Sequence, residues 1–355
     1  MRSLRVALLH NLKKNAPHVA GEPEDAVAEL DSEDTVLALQ QAMEAGGHQV
    51  TPLEGDVNLY PKLQRLQRDI DIAFNICEGH RGDSRESQVP AMLEMLGIPY
   101  TASKILAHAL SLDKAMAKRV WMSNGLPTAT FQVFDRADRA LNPALSYPLF
   151  AKPVREGTAK GIDAESIIYD DRQLRRRISW LLETYHQPAL VEQYLPGREF
   201  TIGLVGNPLA PGERPLSKRY NAEGFHLFPV LEIDTSPLAD SSKGIYTNVI
   251  KSKMPLAINY LCPADIEPAL ESELHRLAVE AFLAIEALDV SRVDFRLDGE
   301  GHPRLMEINT LPGINPEISD LCIMARAEGM AYTQLVNDIL ELAARRYGLA
   351  ESTER

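Results

Sequence analysis

The first hundred residues alternate short apolar runs with longer segments of helical spacing. The apolar runs predict β-strands at Arg5–Leu9, Gln49–Pro52 and Ile70–Asn75. The spacing of apolar positions between and after them predicts helices at Asp34–Ala45, Tyr60–Arg68 and Glu86–Leu96. Glycines directly after the first and last of these helices are typical helix stops. The β-α-β-α order indicates an α/β fold, with an open, largely parallel sheet and helices on both faces.

The rest of the chain mixes strands and helices less regularly. Apolar runs predict strands at Leu149–Lys152, Ala189–Glu192, Glu199–Val205, Arg292–Leu297 and Arg304–Ile308. Helices are predicted around Asp113-Lys114 and at Arg172–Glu183, Ile266–Leu288 and Tyr332–Tyr347. The stretch Asn207–Lys253 is rich in proline, glycine and serine. Connections of that length are usually lids or binding loops, and we expect one here.

Composition and charge exclude several classes of function. The 355 residues carry a net charge of −13. Binding to the phosphates of a nucleic acid needs a basic protein surface, so we expect no nucleic-acid partner. No stretch approaches the roughly 20 apolar residues of a membrane span. Cys77, Cys262 and Cys322 are far apart and form no CxxC motif, which fits a reducing cytoplasm.

Three oxygen-bearing side chains stand on the last predicted strand pair. Glu307 and Asn309 are two residues apart, so they point to the same side of their strand, and the neighbouring strand carries Asp294. Two carboxylates and an amide are hard ligands suited to Mg²⁺ that bridges phosphates. The alternative is a set of surface carboxylates, but Met306 and Ile308 flank Glu307 and place it in a core strand, where unpaired carboxylates are costly.

Two further segments carry candidate chemistry. A strand delivers Lys152, and the small-residue loop Glu156–Gly161 after it leaves backbone N–H groups free to turn toward phosphate. Taken alone, this loop is equally compatible with an ordinary β-turn. Glu192 ends one strand and Glu199 begins the next. Backbone groups of the hinge between them could bind the edge of an adenine, and a carboxylate could accept from ribose hydroxyls. The alternative is that both are ordinary solvated glutamates.

Taken together and in order, these motifs resemble the D-alanine–D-alanine ligase family of ATP-grasp enzymes. The resemblance covers roughly 270 residues, about Phe74 to the final helix. It rests on Phe74-Asn-Ile-Cys-Glu-Gly79, Met92–Thr101, Leu112-Asp-Lys114, Lys152–Gly161, Glu192–Glu199, Arg292-Val-Asp294 and Glu307-Ile-Asn309-Thr-Leu-Pro-Gly313. It implies a pre-ATP-grasp α/β domain at 1–103, a central ATP-grasp subdomain at 104–194 and a C-terminal one at 195–355.

The resemblance also implies a role for each matching residue. ATP would be bound by Lys114, Lys152, Glu156, Gly157, Thr158, Glu192, Tyr194, Leu195 and Glu199. Two Mg²⁺ ions, with Mn²⁺ as a substitute, would be held by Asp294, Glu307 and Asn309, while Arg292 and Gly313 would stabilise an oxyanion. Lys251 would lie on a mobile ω-loop, and His80 and Ser319 would contact the amino-acid substrates. The resemblance further implies that the enzyme is cytoplasmic, takes part in peptidoglycan synthesis and could form a homodimer.

Several segments depart from the family pattern. The first strand lacks the family's Gly-Gly-Ser loop, and Glu29 lies nearest the position of the glutamate that binds the first amino group; a solvated helix-capping acid is the alternative. Ser252 follows Lys251 where the family has tyrosine, and Thr158-Ala159 replaces paired serines. Asp320 adds a carboxylate next to Ser319, where it either repels a substrate carboxylate or holds a second amine.

Three functions therefore compete at the level of the sequence. The first is an ATP-dependent ligase that makes D-alanyl-D-alanine through an acyl phosphate. The second is a ligase of the same chemistry for another amino acid or amine, which the departures favour. The third is a nucleotide-binding protein without ligase activity, and the intact set of Asp294, Glu307 and Asn309 argues against it.

Overall fold

The first sheet of the protein is parallel and carries helices on both faces. The structure is a computed structural model that describes residues 2–17, 21–23, 25–236 and 258–350. Its first sheet has the strand order β2-β1-β3, with all neighbours parallel. Its elements are β1 (Arg5–His10), α1 (Glu33–Ala45), β2 (Gln49–Glu54), α2 (Leu59–Leu66), β3 (Ile72–Asn75) and α3 (Gln88–Leu96). The predicted parallel arrangement is thereby confirmed.

The alternation of side chains along β1 explains why helices cover both faces. Val6 and Leu8 pack into a cluster that includes α1 and the last helix of the chain, whereas Ala7 and Leu9 pack against α2 and α3. Successive side chains of a strand point to opposite faces, so one apolar strand contributes to two cores. The Ser32 hydroxyl accepts a hydrogen bond from the Thr35 N–H at 3.3 Å and so caps the start of α1.

The second sheet is antiparallel, with the strand order β4-β7-β5-β6. Its elements are α4 (Ile105–Leu112), α5 (Lys114–Ser123), β4 (Phe131–Phe134), β5 (Leu149–Pro153), β6 (Ile167–Ile168), α6 (Asp171–Tyr185) and β7 (Ala189–Gln193). The prediction of one helix through Asp113-Lys114 was wrong. Asp113 is extended, with φ −86° and ψ 93°, and its side chain caps α5 by accepting from the Met116 N–H at 2.9 Å.

The third sheet has the order β11-β10-β8-β12-β13, and β9 pairs with β8. Its elements are β8 (Glu199–Gly206), β9 (Phe225–Leu227), β10 (Leu231–Asp234), β11 (Asn259–Leu261), α7 (Pro268–Ala284), β12 (Asp289–Leu297), β13 (Pro303–Asn309), α8 (Asp320–Ala327) and α9 (Tyr332–Arg346). Short 3-10 turns occur at Lys13–Asn15, Gln67–Asp69, Arg85–Ser87 and Ala164–Ser166. The segment 207–236, expected to be loop, contains two strands because Phe225 and Leu231 pack into the apolar cores.

Each of the predicted segments 1–103, 104–194 and 195–355 contains one of the three sheets. The hydrophobic clusters, however, combine residues from different segments. Helix α9 packs on α1 of the first segment. Ala117 and Trp121 of α5 pack among residues of β8, α7 and β12. The division into three domains therefore remains a prediction. Among the described helices, none is both long and apolar enough to cross a lipid bilayer.

Candidate active site

The antiparallel pair of β12 and β13 brings the predicted metal ligands together. In its register, Asp294 lies opposite Glu307 and Arg292 lies opposite Asn309. A shift in the register follows Asp294. Four polar side chains therefore occupy adjacent positions on two paired strands of a buried sheet, as the sequence predicted.

Asp294 is 7% exposed and is held by three neighbours. Its Oδ1 accepts from the Thr201 hydroxyl at 2.5 Å and from Arg292 Nε at 3.0 Å. Its Oδ2 accepts from Arg292 Nη2 at 2.9 Å and from Asn309 Nδ2 at 3.2 Å. Charge-assisted hydrogen bonds of this kind fix the direction in which the Asp294 carboxylate points.

Glu307 is the carboxylate that connects the strand pair to the predicted nucleotide lysines. Its Oε2 lies 3.1 Å from Lys114 Nζ. Burial would raise the pKa of Glu307, but Lys114, Lys152 and Arg292 lower it to about 2. The side chain is therefore negatively charged throughout the physiological range, as a metal ligand must be.

The donor set fits a hard divalent cation bound with phosphates. Asp294, Glu307 and Asn309 offer carboxylate and amide oxygens, which Mg²⁺ prefers, and they line the walls of adjoining cavities. Among the described residues, no group of three or more His, Cys, Asp and Glu side chains converges as a self-sufficient metal site. An ion at Asp294 would therefore depend on the Asn309 amide and on ligand oxygens, the usual arrangement for Mg²⁺ with a nucleotide.

Residues of the second and third sheets, and of helices and loops beside them, line a cleft that is called here the nucleotide cleft. Of the residues predicted to bind ATP, those that line it are Lys114, Lys152, Glu156, Thr158, Glu192, Tyr194, Leu195 and Glu199. Gly157 lines the adjoining cavity instead. The structure thus brings together side chains that are up to 85 positions apart in the sequence, from Lys114 to Glu199.

At one end of the cleft, Glu192 joins two buried lysines. Its Oε1 lies 2.8 Å from Lys152 Nζ and its Oε2 lies 2.8 Å from Lys118 Nζ. Burial would raise the pKa of Glu192, but the two lysines lower it to about 2. Burial lowers the pKa of Lys118, against the opposing effect of Glu192. The predicted contact of Glu192 with an adenine edge remains a prediction, since both carboxylate oxygens already face lysines.

The predicted ribose residue Glu199 lies where β8 begins. Arg296 Nη1 is 3.5 Å from Glu199 Oε2. Burial raises the pKa of Glu199, and the nearby carboxylates Asp294 and Glu307 raise it further, against Arg296. The Arg296 guanidinium also lies over the ring of Tyr194, 5.7 Å from its centroid, which ties the hinge to the third sheet.

The loop Glu156–Gly161 contains three residues in the left-handed region of the backbone, of which only Gly161 adopts it without steric cost. Thr158, Ala159 and Gly161 have positive φ values of 51°, 54° and 69°. The loop does not stand alone, because Glu29 accepts from the Gly157 N–H at 2.5 Å and from Lys160 Nζ at 2.8 Å. This tie between the N-terminal segment and the loop is more specific than an ordinary β-turn.

Glu29 lies at the centre of a buried charge network. Besides its contacts with the loop, it accepts from Arg85 Nη2 at 2.8 Å. Glu156 pairs with the same two cations, Lys160 and Arg85. The alternative of a solvated helix-capping acid was wrong, since the Glu29 side chain is only 9% exposed and belongs to no helix. Its binding of a substrate amino group remains a prediction.

Replacement of Glu29 by glutamine is expected to destabilise the fold in a pH-dependent way. Burial would raise the pKa of Glu29, but Lys160 and Arg85 lower it from 4.5 to about 2. A lowered folded-state pKa stabilises above the unfolded-state pKa and loses that effect as pH falls through the folded value. We expect Glu29→Gln to cost about 3 kcal/mol at pH 7 and about 1 kcal/mol at pH 3.

Urea denaturation of both proteins between pH 3 and pH 7 measures this difference. Glu33→Gln is the matched control, because Glu33 is an exposed carboxylate that pairs with Lys14 on the surface. Surface pairs contribute about 0–1 kcal/mol, so the control should stay within that range at every pH. A Glu29→Gln cost that does not change with pH would contradict the assigned network.

A second cavity shares a wall with the nucleotide cleft. Lys114, Thr158, Arg292, Glu307 and Asp320 line both. We call it the acidic cavity, since its walls carry the carboxylates of Glu29, Asp31, Glu78, Glu86, Glu307 and Asp320 against the cations Lys13, Lys114 and Arg292.

The predicted oxyanion and substrate residues divide between cavities. Gly313 and Ser319 line the acidic cavity, and the Ser319 hydroxyl accepts from the Asn315 N–H at 2.9 Å. A Cβ atom at Gly313 would meet Ser319 Oγ at 3.0 Å, so a side chain there would crowd the serine. His80 lines a third cavity together with Glu29 and Arg85 and does not line the acidic cavity with Ser319. Lys251 lies outside the described residues.

Sequence reasoning missed the partners that hold these groups. Arg85, Lys160 and Lys118 each pair with a predicted site carboxylate. Only Lys118 could have been found from the sequence. It follows Lys114 by four residues, so helical spacing places both lysines on the same face of α5. Arg85 and Lys160 are far from Glu29 in sequence, and no local pattern links them.

This chain is similar in sequence and in fold to known proteins of one family. Residues 120–341 match the family model described as D-ala D-ala ligase C-terminus. The chain is 33% identical over 263 residues to a D-alanine–D-alanine ligase of Bordetella avium, covering 74% of this chain and 75% of the relative. It is also 33% identical over 322 residues to the uncharacterized protein y4sG of Sinorhizobium fredii, covering 89% and 88%.

A solved structure shares the fold over the whole chain. The structure of D-alanine–D-alanine ligase from Bacillus anthracis complexed with ATP superposes with a TM-score of 0.70 at 20% identity, covering 98% of this chain and 99% of that one. The mixed α/β fold is therefore that of D-alanine–D-alanine ligase structures. The chain belongs to the D-alanine–D-alanine ligase family and is an ATP-dependent ligase.

Proposed function

We propose that this enzyme joins a carboxylate to an amine through an acyl phosphate, with release of ADP and phosphate. The observation that carries the proposal is the shared wall of the two cavities, where Lys114, Arg292 and Glu307 face both. ATP held in the nucleotide cleft would present its terminal phosphate at this wall, and a carboxylate in the acidic cavity would approach from the other side.

The second and third sheets would clasp the nucleotide between them, as the ATP-grasp architecture implies. Lys114 and Lys152 would contact the phosphates, Glu192 and the Tyr194-Leu195 hinge the adenine, and Glu199 the ribose. Thr158 lines both cavities at the same wall, whereas the Gly157 N–H is donated to Glu29. The charge supports this role, since both lysines are buried and paired with carboxylates that phosphate oxygens can replace.

The proposed reaction has two steps. An oxygen of the donor carboxylate attacks the γ-phosphorus of ATP, the bond to the β-phosphate oxygen breaks, and ADP leaves. The nitrogen of the acceptor amine then attacks the acyl carbon and forms the C–N bond. The C–O bond to phosphate breaks, inorganic phosphate leaves, and the nitrogen loses its extra proton to solvent.

The residues of the shared wall match the charges that these steps develop. Phosphoryl transfer depends mainly on positioning and charge neutralisation. Bound Mg²⁺, held by Asp294, Glu307 and Asn309, would supply that neutralisation. Arg292 and the Gly313 N–H would donate to the tetrahedral oxyanion of the second step, and a donor of this kind contributes about 3–4 kcal/mol.

The site supports the type of reaction more directly than the identity of the product. Membership of the D-alanine–D-alanine ligase family makes D-alanyl-D-alanine the first candidate product. Ligation of another amino acid or amine is the second candidate, and a specific observation favours it: Asp320 places a buried carboxylate beside Ser319, where a second amino acid would bring its own carboxylate. By analogy with the family, we also propose a cytoplasmic enzyme and a homodimer.

Release of ADP across a panel of D- and L-amino acids tests the proposal. Hydroxylamine should be added in a parallel series, since it attacks any acyl phosphate and gives a hydroxamate whatever acceptor the enzyme prefers. We expect hydroxamate formation that depends on both ATP and a donor carboxylate. Absence of ADP release and of hydroxamate with every donor would overturn the proposed function.

A further inference from the structure

Asp320 is a buried carboxylate, and one of its two oxygens has no hydrogen-bond partner among the described residues. It begins α8, is 4% exposed and lies in the wall shared by the two cavities. Its Oδ2 is 3.2 Å from Arg292 Nη1. Its Oδ1 is buried and has no hydrogen-bond partner in the part of the chain that the structure describes. Buried polar atoms are rarely left unpaired, so an oxygen of this kind points to a ligand.

Arg292 does not neutralise Asp320 fully. The same guanidinium gives its Nε and Nη2 to Asp294 and only Nη1 to Asp320. One positive charge is therefore shared between two carboxylates. The proposed function also directs Arg292 to the oxyanion of the reaction, which leaves Asp320 without a counter-charge of its own.

Burial disfavours the charged forms of two further carboxylates of the acidic cavity, Glu78 and Glu86. Burial raises the pKa of Glu78, and the neighbouring carboxylates Glu86, Glu29 and Asp31 raise it further, against Arg85. Burial also raises the pKa of Glu86 to about 7, with an added effect of Glu29, against the cations Arg85, Lys114 and Lys160. Such groups are charged only at a free-energy cost, which a cation bound in the cavity would reduce.

The position of Asp320 beside Ser319 bears on the second substrate. An acceptor amino acid whose carboxylate bound at Ser319 would bring two carboxylates together in a buried site. Like charges in that setting are strongly disfavoured, and such repulsion is a common means of rejecting a wrong partner. A second ammonium group would instead satisfy the unpaired oxygen.

We propose that the acceptor of the ligation is an amine with a second ammonium group, of the short diamine class, and that Asp320 selects it. This inference rests on the proposed ligase function and names its acceptor class. The nucleophilic nitrogen would lie toward Arg292 and Gly313, while the second ammonium group pairs with Asp320. Hydrogen bonds to a charged group of this kind correspond to about a 10- to 100-fold preference.

A matched pair of acceptors tests the selection. With a donor identified by hydroxamate formation, kcat/KM is measured for 1,3-diaminopropane, for propylamine and for D-alanine as acceptors. We expect the native enzyme to prefer the diamine to propylamine by about 10- to 100-fold. In Asp320→Asn that preference should fall to near one, and activity with D-alanine as acceptor should rise.

Glu317→Gln is the control, because it removes a carboxylate from the same segment whose side chain is 82% exposed. It should keep the native preference. The ratio between two acceptors does not depend on how much active enzyme is present, so it remains informative if Asp320→Asn is less stable. Equal use of diamine and propylamine by the native enzyme, a preference for D-alanine, or an unchanged ratio in Asp320→Asn would each overturn the inference. If hydroxamate still forms, the proposed function survives; if none forms, both fail.

Discussion

Glu307→Gln is expected to lower kcat by at least about 100-fold, because it removes a charged ligand from the proposed metal site. Glu307 carries its negative charge at every pH of interest, with a pKa of about 2 that results from three nearby cations in spite of burial. Glutamine keeps the shape of the side chain and loses the charge. By the linkage applied to Glu29, the loss of this charge also costs about 3 kcal/mol of folding stability at pH 7, so kcat is expressed per folded enzyme.

Steady-state ADP release at saturating ATP measures this effect. Glu300→Gln is the matched control, since Glu300 lies between the same two strands and its side chain is 83% exposed. The control should retain native rates. A Glu307→Gln enzyme with a kcat within a few-fold of native would show that the metal assignment on β12 and β13 is wrong.

Glu192→Gln is expected to destabilise the protein by about 3–5 kcal/mol, the usual cost of removing one partner from a buried ion pair. The carboxylate faces Lys118 and Lys152 at 2.8 Å each, and both lysines are buried. Without Glu192, two ammonium groups would face each other in a low-dielectric site. Lys118 would respond by losing its proton, because burial already lowers its pKa.

Urea denaturation at pH 7 measures the loss of stability. Glu183→Gln provides the comparison, because Glu183 is an exposed glutamate on α6 whose replacement should change the free energy of unfolding by no more than about 0.5 kcal/mol. If Glu192→Gln changed the free energy of unfolding no more than that control, the ion pairs of Glu192 with Lys118 and Lys152 would not stabilise the fold, contrary to this prediction.

Local patterns were sufficient to predict the strands that carry the site. Period-two alternation placed Glu307 and Asn309 on one side of a strand, and the structure pairs that strand with the one that carries Asp294. The parallel first sheet followed in the same way from alternating strand and helix signals. Such features depend on neighbours within a few residues, which a single sequence displays.

Contacts between distant segments were not predictable. Glu29 meets Lys160 across 131 positions, and its partner Arg85 resembled any surface arginine. Helix α8, of 8 residues, was not among the predicted helices. The unpaired oxygen of Asp320 could be seen only once Arg292 was known to be shared with Asp294.

These contacts suggest how the site combines a family reaction with a different acceptor. The strand pair and the lysines support activation of a carboxylate, whatever the acceptor is. The acidic cavity combines family-motif residues such as Arg292 and Glu307 with segments that depart from the family pattern, such as the N-terminal segment with Glu29 and the α8 start with Asp320. Substitutions in these departing segments therefore test acceptor choice separately from the reaction.

Transfer of oxygen from the donor to phosphate tests the central claim most directly. The donor is supplied with ¹⁸O in its carboxylate, and the inorganic phosphate released with the amide product is analysed by mass spectrometry. Because the attacking carboxylate oxygen stays on phosphorus when the C–O bond breaks, we predict one ¹⁸O atom in each phosphate released. Product formation with unlabelled phosphate would contradict the acyl-phosphate mechanism.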